Sequence, residues 1–338
     1  MLTLCLILQD DAADLELALP NLGQAIAAGC ACVVVDRGSS DASLDVLHGF
    51  LLRTGAQLMR AERSTSAAEA LALAASAVDD TSFLLPISAQ ERIYLAGIDA
   101  LLSRLATNSS QLLITRRAFY VADPDHPVQA PEAKRSGVTG PSVSSLHPDM
   151  RQILRHAKDM RKPEPTQTLA QTWAAFHSLV QSESLSFFAE TPLLLRPIPK
   201  ASAAHAFQAA TAFVAEGSEA DARLAHCLPW LDDALALSPP EAAFETLAEA
   251  ESFLASLPAP LQAKATDATS VTSRLLHSLA QDKKSEALAQ LALLGQARSN
   301  MINDALAQSQ RALLRAVDRA LPSSDYLRDL YHRTRGDI

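Results

Sequence analysis

No stretch of this 338-residue chain supplies the roughly 18 consecutive apolar residues that a membrane-spanning helix needs. An excess of basic residues is missing too. The 29 Lys and Arg stand against 38 Asp and Glu, for a formal charge of −9, which argues against nucleic acid as a partner. Cysteine is rare, and Cys5, Cys30, Cys32 and Cys227 show no metal-ligand spacing. Cys30 and Cys32 flank one residue, which is poor geometry for a disulfide, so the four read as small buried hydrophobes in a reducing compartment. Glycine numbers 11 and nowhere builds a phosphate-cradling loop; Gly38 stands alone. Gly-x-Ser-x-Gly is absent, no internal repeat occurs, and no basic leader precedes the first apolar run. The composition is that of an ordinary globular protein, and a cytoplasmic location is the expectation.

At this length two domains are expected. Leu2–Leu8 (LTLCLIL) is a continuous apolar run suited to a central parallel strand. Ala12–Ala28 reads as a helix that Pro20 kinks or splits. Cys32–Leu47 (CVVVDRGSSDASLDVL) is the most informative segment: a buried strand ends in Asp36, a tight polar turn follows, and Ser40 or Asp41 caps a helix. Residues 56–61 form a third strand, 66–78 an alanine-rich helix, 82–87 a fourth strand and 91–105 a further helix. Strand and helix thus alternate, which implies right-handed crossovers and a mostly parallel sheet with helices on both faces. In such sheets ligands occupy the crevice at the carboxyl ends of the strands.

Beyond this point the pattern changes. Residues 111–122 read as two strands meeting at Arg116-Arg117, 123–148 as a long loop, 150–160 as a basic helix and 169–180 as another helix. Residues 185–189 and 193–196 read as a strand pair interrupted by Glu190-Thr191-Pro192. From residue 200 onward the chain reads helical, over 203–215, 220–237, 240–256, 267–281, 284–295 and 298–321. The expected domains are therefore 1–199, α/β, and 200–338, α-helical.

The first part resembles the family 2 glycosyltransferases, which have the GT-A fold. Val35-Asp36-Arg37-Gly38-Ser39-Ser40-Asp41 is similar to the family's Val-Asp-Asp-Gly-Ser-x-Asp turn, with Arg37 in place of an acid. Ile7-Leu8-Gln9-Asp10-Asp11 occupies the place of its first motif, with Asp11 where asparagine is usual. Residues 171–197 look like the helix and strands that close such domains. The resemblance implies a nucleotide-sugar cleft in which Asp11, Asp36, Gly38, Ser39, Asp41, Ser88 and Gln90 surround the nucleotide.

The third motif departs from the pattern. The family places an Asp-x-Asp pair after the fourth strand to hold Mg²⁺ or Mn²⁺ against the diphosphate. Here Ser88-Ala89-Gln90 stands in that place, with Glu91 beyond it. The late acid that deprotonates the acceptor also lacks an obvious counterpart, leaving Glu164, with His156 as a second acid-base candidate. On the expected helix Arg151, Arg155 and Lys158 share a face and would receive the diphosphate in place of a metal. The same residues have local readings: Asp36 and Asp41 as caps, the basic helix as a solvated face. His177, His226 and His277 lie on separate predicted helices with no metal-binding spacing.

Two functions follow. One is sugar transfer from a nucleotide sugar to an acceptor hydroxyl with an atypical or lost metal site. The other is a pseudoenzyme, a glycosyltransferase-like scaffold that acts through its C-terminal helices on a protein partner or a second copy of itself.

Overall fold

The computed structural model describes residues 1–105, 112–120, 128–129, 153–162, 168–181, 185–197, 202–215, 219–267 and 269–320. Its centre is a parallel layer in the order β3-β2-β1-β4, made of β1 (Leu2–Leu8), β2 (Ala31–Asp36), β3 (Gln57–Arg60) and β4 (Phe83–Ser88). Side chains alternate across it. Leu2, Leu4, Leu6 and Leu8 face α1 (Ala12–Ala27), α2 (Ser43–Thr54) and α4 (Leu95–Leu105), while Cys5, Val33 and Val35 face α3 (Ala67–Ser76). This is the expected helix-covered sheet, with a helical C-terminal part.

Helix boundaries follow local chemistry. Helix α3 starts with a capping box, in which Ser66 Oγ accepts from the Glu69 N–H (3.2 Å) and Glu69 Oε2 from the Ser66 N–H (2.7 Å). Pro20 does not split α1; it lies on the exposed side of the helix. The helix expected from Glu91 begins only at Leu95. Arg92–Ile93 forms β5 instead, pairing with β9 (Leu185–Pro197), while the Asn21 amide brackets Ile93, donating to its carbonyl (2.9 Å) and accepting from its N–H (2.5 Å).

The basic helix expected over 150–160 is not there. Ile153–His156 is strand β8, inserted between β4 and β6 (Leu112–Tyr120) with Leu154 fully buried, and only Ala157–Met160 is helical, as α5. Pairing on both sides overrides a helical spacing of charges. Likewise β6 and β9 are each one strand, not two. Their pairing shifts register around Arg116↔Pro192, at the places where the sequence looked interrupted, because a proline without an N–H is accommodated at a bulge. Val128–Gln129 adds β7 to β6; the rest of the expected loop over 123–148 lies outside the described residues.

Helix α6 (Leu169–Gln181) joins α7 (Ala203–Ala215), α8 (Ala220–Leu237), α9 (Ala243–Ser256), α10 (Ala259–Asp267), α11 (Val271–Ala280) and α12 (Lys284–Ala320) around one apolar core. Helix α10 escaped the sequence because Pro258-Ala259-Pro260 looks like a break, yet proline is at home in a first helical turn. Helix α12 runs unbroken through Gly295, where two helices were expected. That glycine sits against Pro240, and an added Cβ would lie 2.8 Å from the Pro240 Cα and Cβ. Gly295→Ala is therefore expected to cost about 1–3 kcal/mol through overpacking, despite alanine's better helix propensity. Urea unfolding checks it; a stabilised variant would show that the contact yields freely.

Candidate functional site

The carboxyl ends of β1, β2 and β3 are knitted into one polar surface. Asp36, the last residue of β2, is 2% exposed, and its Oδ1 accepts the Ser39 N–H at 3.0 Å. The turn needs Gly38, which has φ +68° and whose missing Cβ would approach the Arg63 backbone nitrogen to 3.0 Å. The turn is tied to its neighbours by Arg37 N–H to the Leu8 carbonyl (3.0 Å) and Ala61 N–H to the Asp36 carbonyl (2.8 Å). Arg37, which replaces an acid of the motif, spends its Nε on the Thr65 carbonyl at 2.6 Å.

The other aspartates of this surface hold the loops. Asp11 Oδ2 accepts the Gln9 N–H (2.8 Å), and its own N–H donates to Ser43 Oγ (3.0 Å). Burial chiefly pushes the Asp11 carboxyl above its ordinary pKa, against that Gln9 bond. Asp41 caps two helices at once: Oδ2 accepts the Ala12 N–H (3.0 Å) at the start of α1, and Oδ1 the Ser43 N–H (3.0 Å) and hydroxyl at the start of α2. These bonds, the Ser43 hydroxyl first, lower its pKa. Asp10, at φ +57°, accepts the Ser40 N–H (2.6 Å) and hydroxyl (3.1 Å) on Oδ1 and the Arg63 guanidinium on Oδ2. Its carboxyl is drawn down to about 2, foremost by Arg63.

The residues after β4 do not suit a divalent cation. Ser88 and Gln90 are neutral, and Glu91, 4% exposed, turns Oε2 onto the Ser88 N–H at 2.8 Å. The neighbouring carbonyls of Ala89 and Glu91 accept from Arg92 Nη1 at 2.8 and 3.0 Å, so a buried guanidinium claims oxygens that a cation would seek. Among the described residues no three His, Cys, Asp or Glu side chains are grouped so as to hold a metal ion.

The structure brings Asp11, Asp36, Gly38, Ser39 and Asp41 to one surface and sets Arg155 and His156 elsewhere. Leu84↔Arg155 and Phe83↔His156 are register pairs at the beginning of β4, whereas Ser88 closes the strand at its other end. Four residue steps separate Leu84 from Ser88, on the order of 13 Å. His156 stacks on Phe83 (4.1 Å between ring centroids) with Nδ1 3.0 Å from the Thr81 carbonyl oxygen. Lys158 is exposed on α5, so the shared cationic face with Arg155 does not form. Arg151 and Glu164 lie outside the described residues. At the amino ends of β1 and β2, a cavity of about 330 Å³ is lined by Met1, Cys30, Cys32, Thr54 and Asp79 among others. Burial chiefly pushes the Cys30 thiol up to about 11 and Cys32 to about 12, which leaves both protonated.

One pairing was hidden in sequence. His177 on α6 and His226 on α8, 49 positions apart, place their Nδ1 atoms 2.5 Å from each other, with Glu219 Oε2 3.7 Å from His177 Nε2. Arg223 sits over the Phe213 ring beside them. Burial first, then His177, holds His226 below the ordinary value of 6.5. A lowered histidine pKa stabilises the fold fully above the unfolded value and loses that contribution as pH falls through the folded one. Thermal melts should thus show wild-type stability falling below pH 6.5 more steeply than in His226→Gln; parallel curves would refute the coupling.

Neither a family model nor a curated protein matches this chain. Solved structures do. S. aureus TarS 1–349 superposes with a TM-score of 0.52 at 11% identity, covering 88% of this chain and 91% of that one. The same protein in complex with UDP-GlcNAc gives 0.52 at 12% identity over 88% and 91%. A mannosyltransferase from Pyrobaculum calidifontis in complex with GDP-Man and Mn²⁺ gives 0.44 at 15% identity, over 87% and 86%. At such identities the likeness speaks for the fold, and with the sheet order and the Asp36 turn it gives one conclusion: this chain has the GT-A fold of the glycosyltransferases.

Proposed function

We propose that this glycosyltransferase-like protein binds a nucleotide sugar at the carboxyl ends of β1, β2 and β4 without a divalent cation. One observation carries the reading. The turn after β2 has its buried Asp36 accepting the Ser39 N–H, while Glu91 Oε2 accepts the Ser88 N–H and the Ala89 and Glu91 carbonyls accept from Arg92. TarS, which shares the fold, has been seen with UDP-GlcNAc, which makes a uridine diphosphate sugar the first ligand to try. Asp36 would accept hydrogen bonds from base or ribose, and Gly38, Ser39, Ser88 and Gln90 would line the remainder. We give Arg155, His156 and Lys158 no part: Arg155 and His156 pair with Leu84 and Phe83 at the start of β4, and Lys158 follows them on α5.

Calorimetric titration with UDP-GlcNAc and with GDP-mannose, in Mn²⁺ and in EDTA, tests this. The expected dissociation constants agree within about twofold between the two conditions. Binding that requires Mn²⁺ overturns the reading. The exposed Phe244 on α9 and Leu293 on α12, at 72% and 71%, favour a second reading, a scaffold that acts through its helices. Absence of nucleotide binding together with a stable assembly in solution would establish that one.

A further inference from the structure

The diphosphate of a nucleotide sugar needs a cation, and the residues after β4 do not supply a metal. We propose that Arg63 is the anion-binding side chain of this cleft and Asp10 its resident counter-anion, so that a phosphoryl group enters by displacing Asp10. The identity of the ligand rests on the nucleotide-sugar reading; the anion site and its internal plug do not.

Three donors converge on the Asp10 carboxylate: the Ser40 N–H, the Ser40 hydroxyl and the Arg63 guanidinium. A backbone N–H, a hydroxyl and a guanidinium are the groups that hold phosphoryl oxygens, and a carboxylate imitates such a group in charge and acceptor geometry. The donors are pre-set. Arg63 Nη1 is held by the Gly38 carbonyl and Ser40 Oγ, both at 3.2 Å, and its backbone carbonyl accepts from Gln9 Nε2 at 3.3 Å. The plug is built to move. Asp10 sits in the left-handed backbone region that a non-glycine residue rarely adopts, and the pair is open to solvent at 56% and 29% for Arg63 and Asp10. An ion pair so exposed is weak, and a diphosphate, with two negative charges shared over its phosphoryl groups, can outcompete a single carboxylate for Arg63. Arg37, the other cation of these loops, is turned to the Thr65 carbonyl.

The test uses the whole chain in EDTA at low salt, with inorganic pyrophosphate as the probe and calorimetry as the readout. Asp10→Asn and Asp10→Gly both remove the plug, and the glycine also suits the positive φ. Each is expected to bind pyrophosphate about tenfold or more tightly than wild type, and adding Arg63→Gln should abolish the gain. Unchanged affinity in an Asp10 variant with a native circular dichroism spectrum overturns the proposal, as does a gain that survives Arg63→Gln. A parallel titration with UDP-GlcNAc separates the two readings. If pyrophosphate behaves as expected and the nucleotide sugar binds no variant, the nucleotide reading falls and the plug stands. If the nucleotide sugar binds wild type and both Asp10 variants equally, the plug falls and the nucleotide reading stands.

Discussion

Asp36→Ala is expected to weaken UDP-GlcNAc binding by about 10- to 100-fold, since a hydrogen bond to a charged group contributes about 1.5–3 kcal/mol. The carboxylate sits at the base of the turn, 2% exposed, at the end of the strand that pairs with β1 and β3. Part of its work is internal, because Oδ1 accepts the Ser39 N–H. Asp36→Asn separates the two contributions: it keeps an acceptor for Ser39 while losing the charge. Calorimetry should find Asn intermediate and Ala weakest, with melting of Asn close to wild type. Full affinity in a folded Asp36→Ala protein would limit this residue to holding its own turn.

The second large effect lies in the helical part. Trp173 on α6 is 2% exposed and packs edge-on against Trp230 (5.0 Å between ring centroids) and Phe213 (6.0 Å). Trp173→Ala should cost about 3–5 kcal/mol, the usual loss for deleting a large aromatic side chain from a core. Its Nε1 has no hydrogen-bond partner among the described residues, so Trp173→Phe gives up no bond and should cost about 1 kcal/mol. Denaturant unfolding followed by circular dichroism measures both. Equal losses for the two variants would place the contribution in the indole N–H instead of the packing.

Most of the parallel layer was legible in sequence because β1, β2 and β4 are short apolar runs closed by polar turn residues; the half-polar edge strand β3 (Gln57–Arg60) was legible only from the alternation of strand and helix around it. The ends of α7 and α8 were legible too, since Gly217-Ser218 and Ser238-Pro239-Pro240 follow them in the sequence. What failed was structure decided by partners far along the chain. Arg155 stands at helical spacing from Arg151 and Lys158, but Ile153–His156 is held as a strand by β4 and β6. Glu91-Arg92-Ile93 reads as a helix start until Asn21, 72 positions away from Ile93, claims its backbone. Gly295 looks like a helix end because Pro240 is invisible from its neighbours.

The candidate site divides in the same way. The turn around Asp36 is written locally, in seven consecutive residues from Val35 to Asp41. The role of Asp10 is not, because Arg63 reaches it from the loop after β3, 53 positions along the chain. Asp41, read as the cap of one helix, serves two, because α1 and α2 start side by side. The histidine pair depends wholly on how α6 and α8 pack, which periodicity does not convey.

The most direct measurement is crystallographic: the protein soaked with UDP-GlcNAc and Mn²⁺, with data collected at a wavelength where manganese scatters anomalously. Density for the nucleotide beside Asp36, with no anomalous peak near Ser88–Glu91, is the predicted result. A manganese peak bridging the ligand's phosphates and Glu91 would contradict the account at its centre.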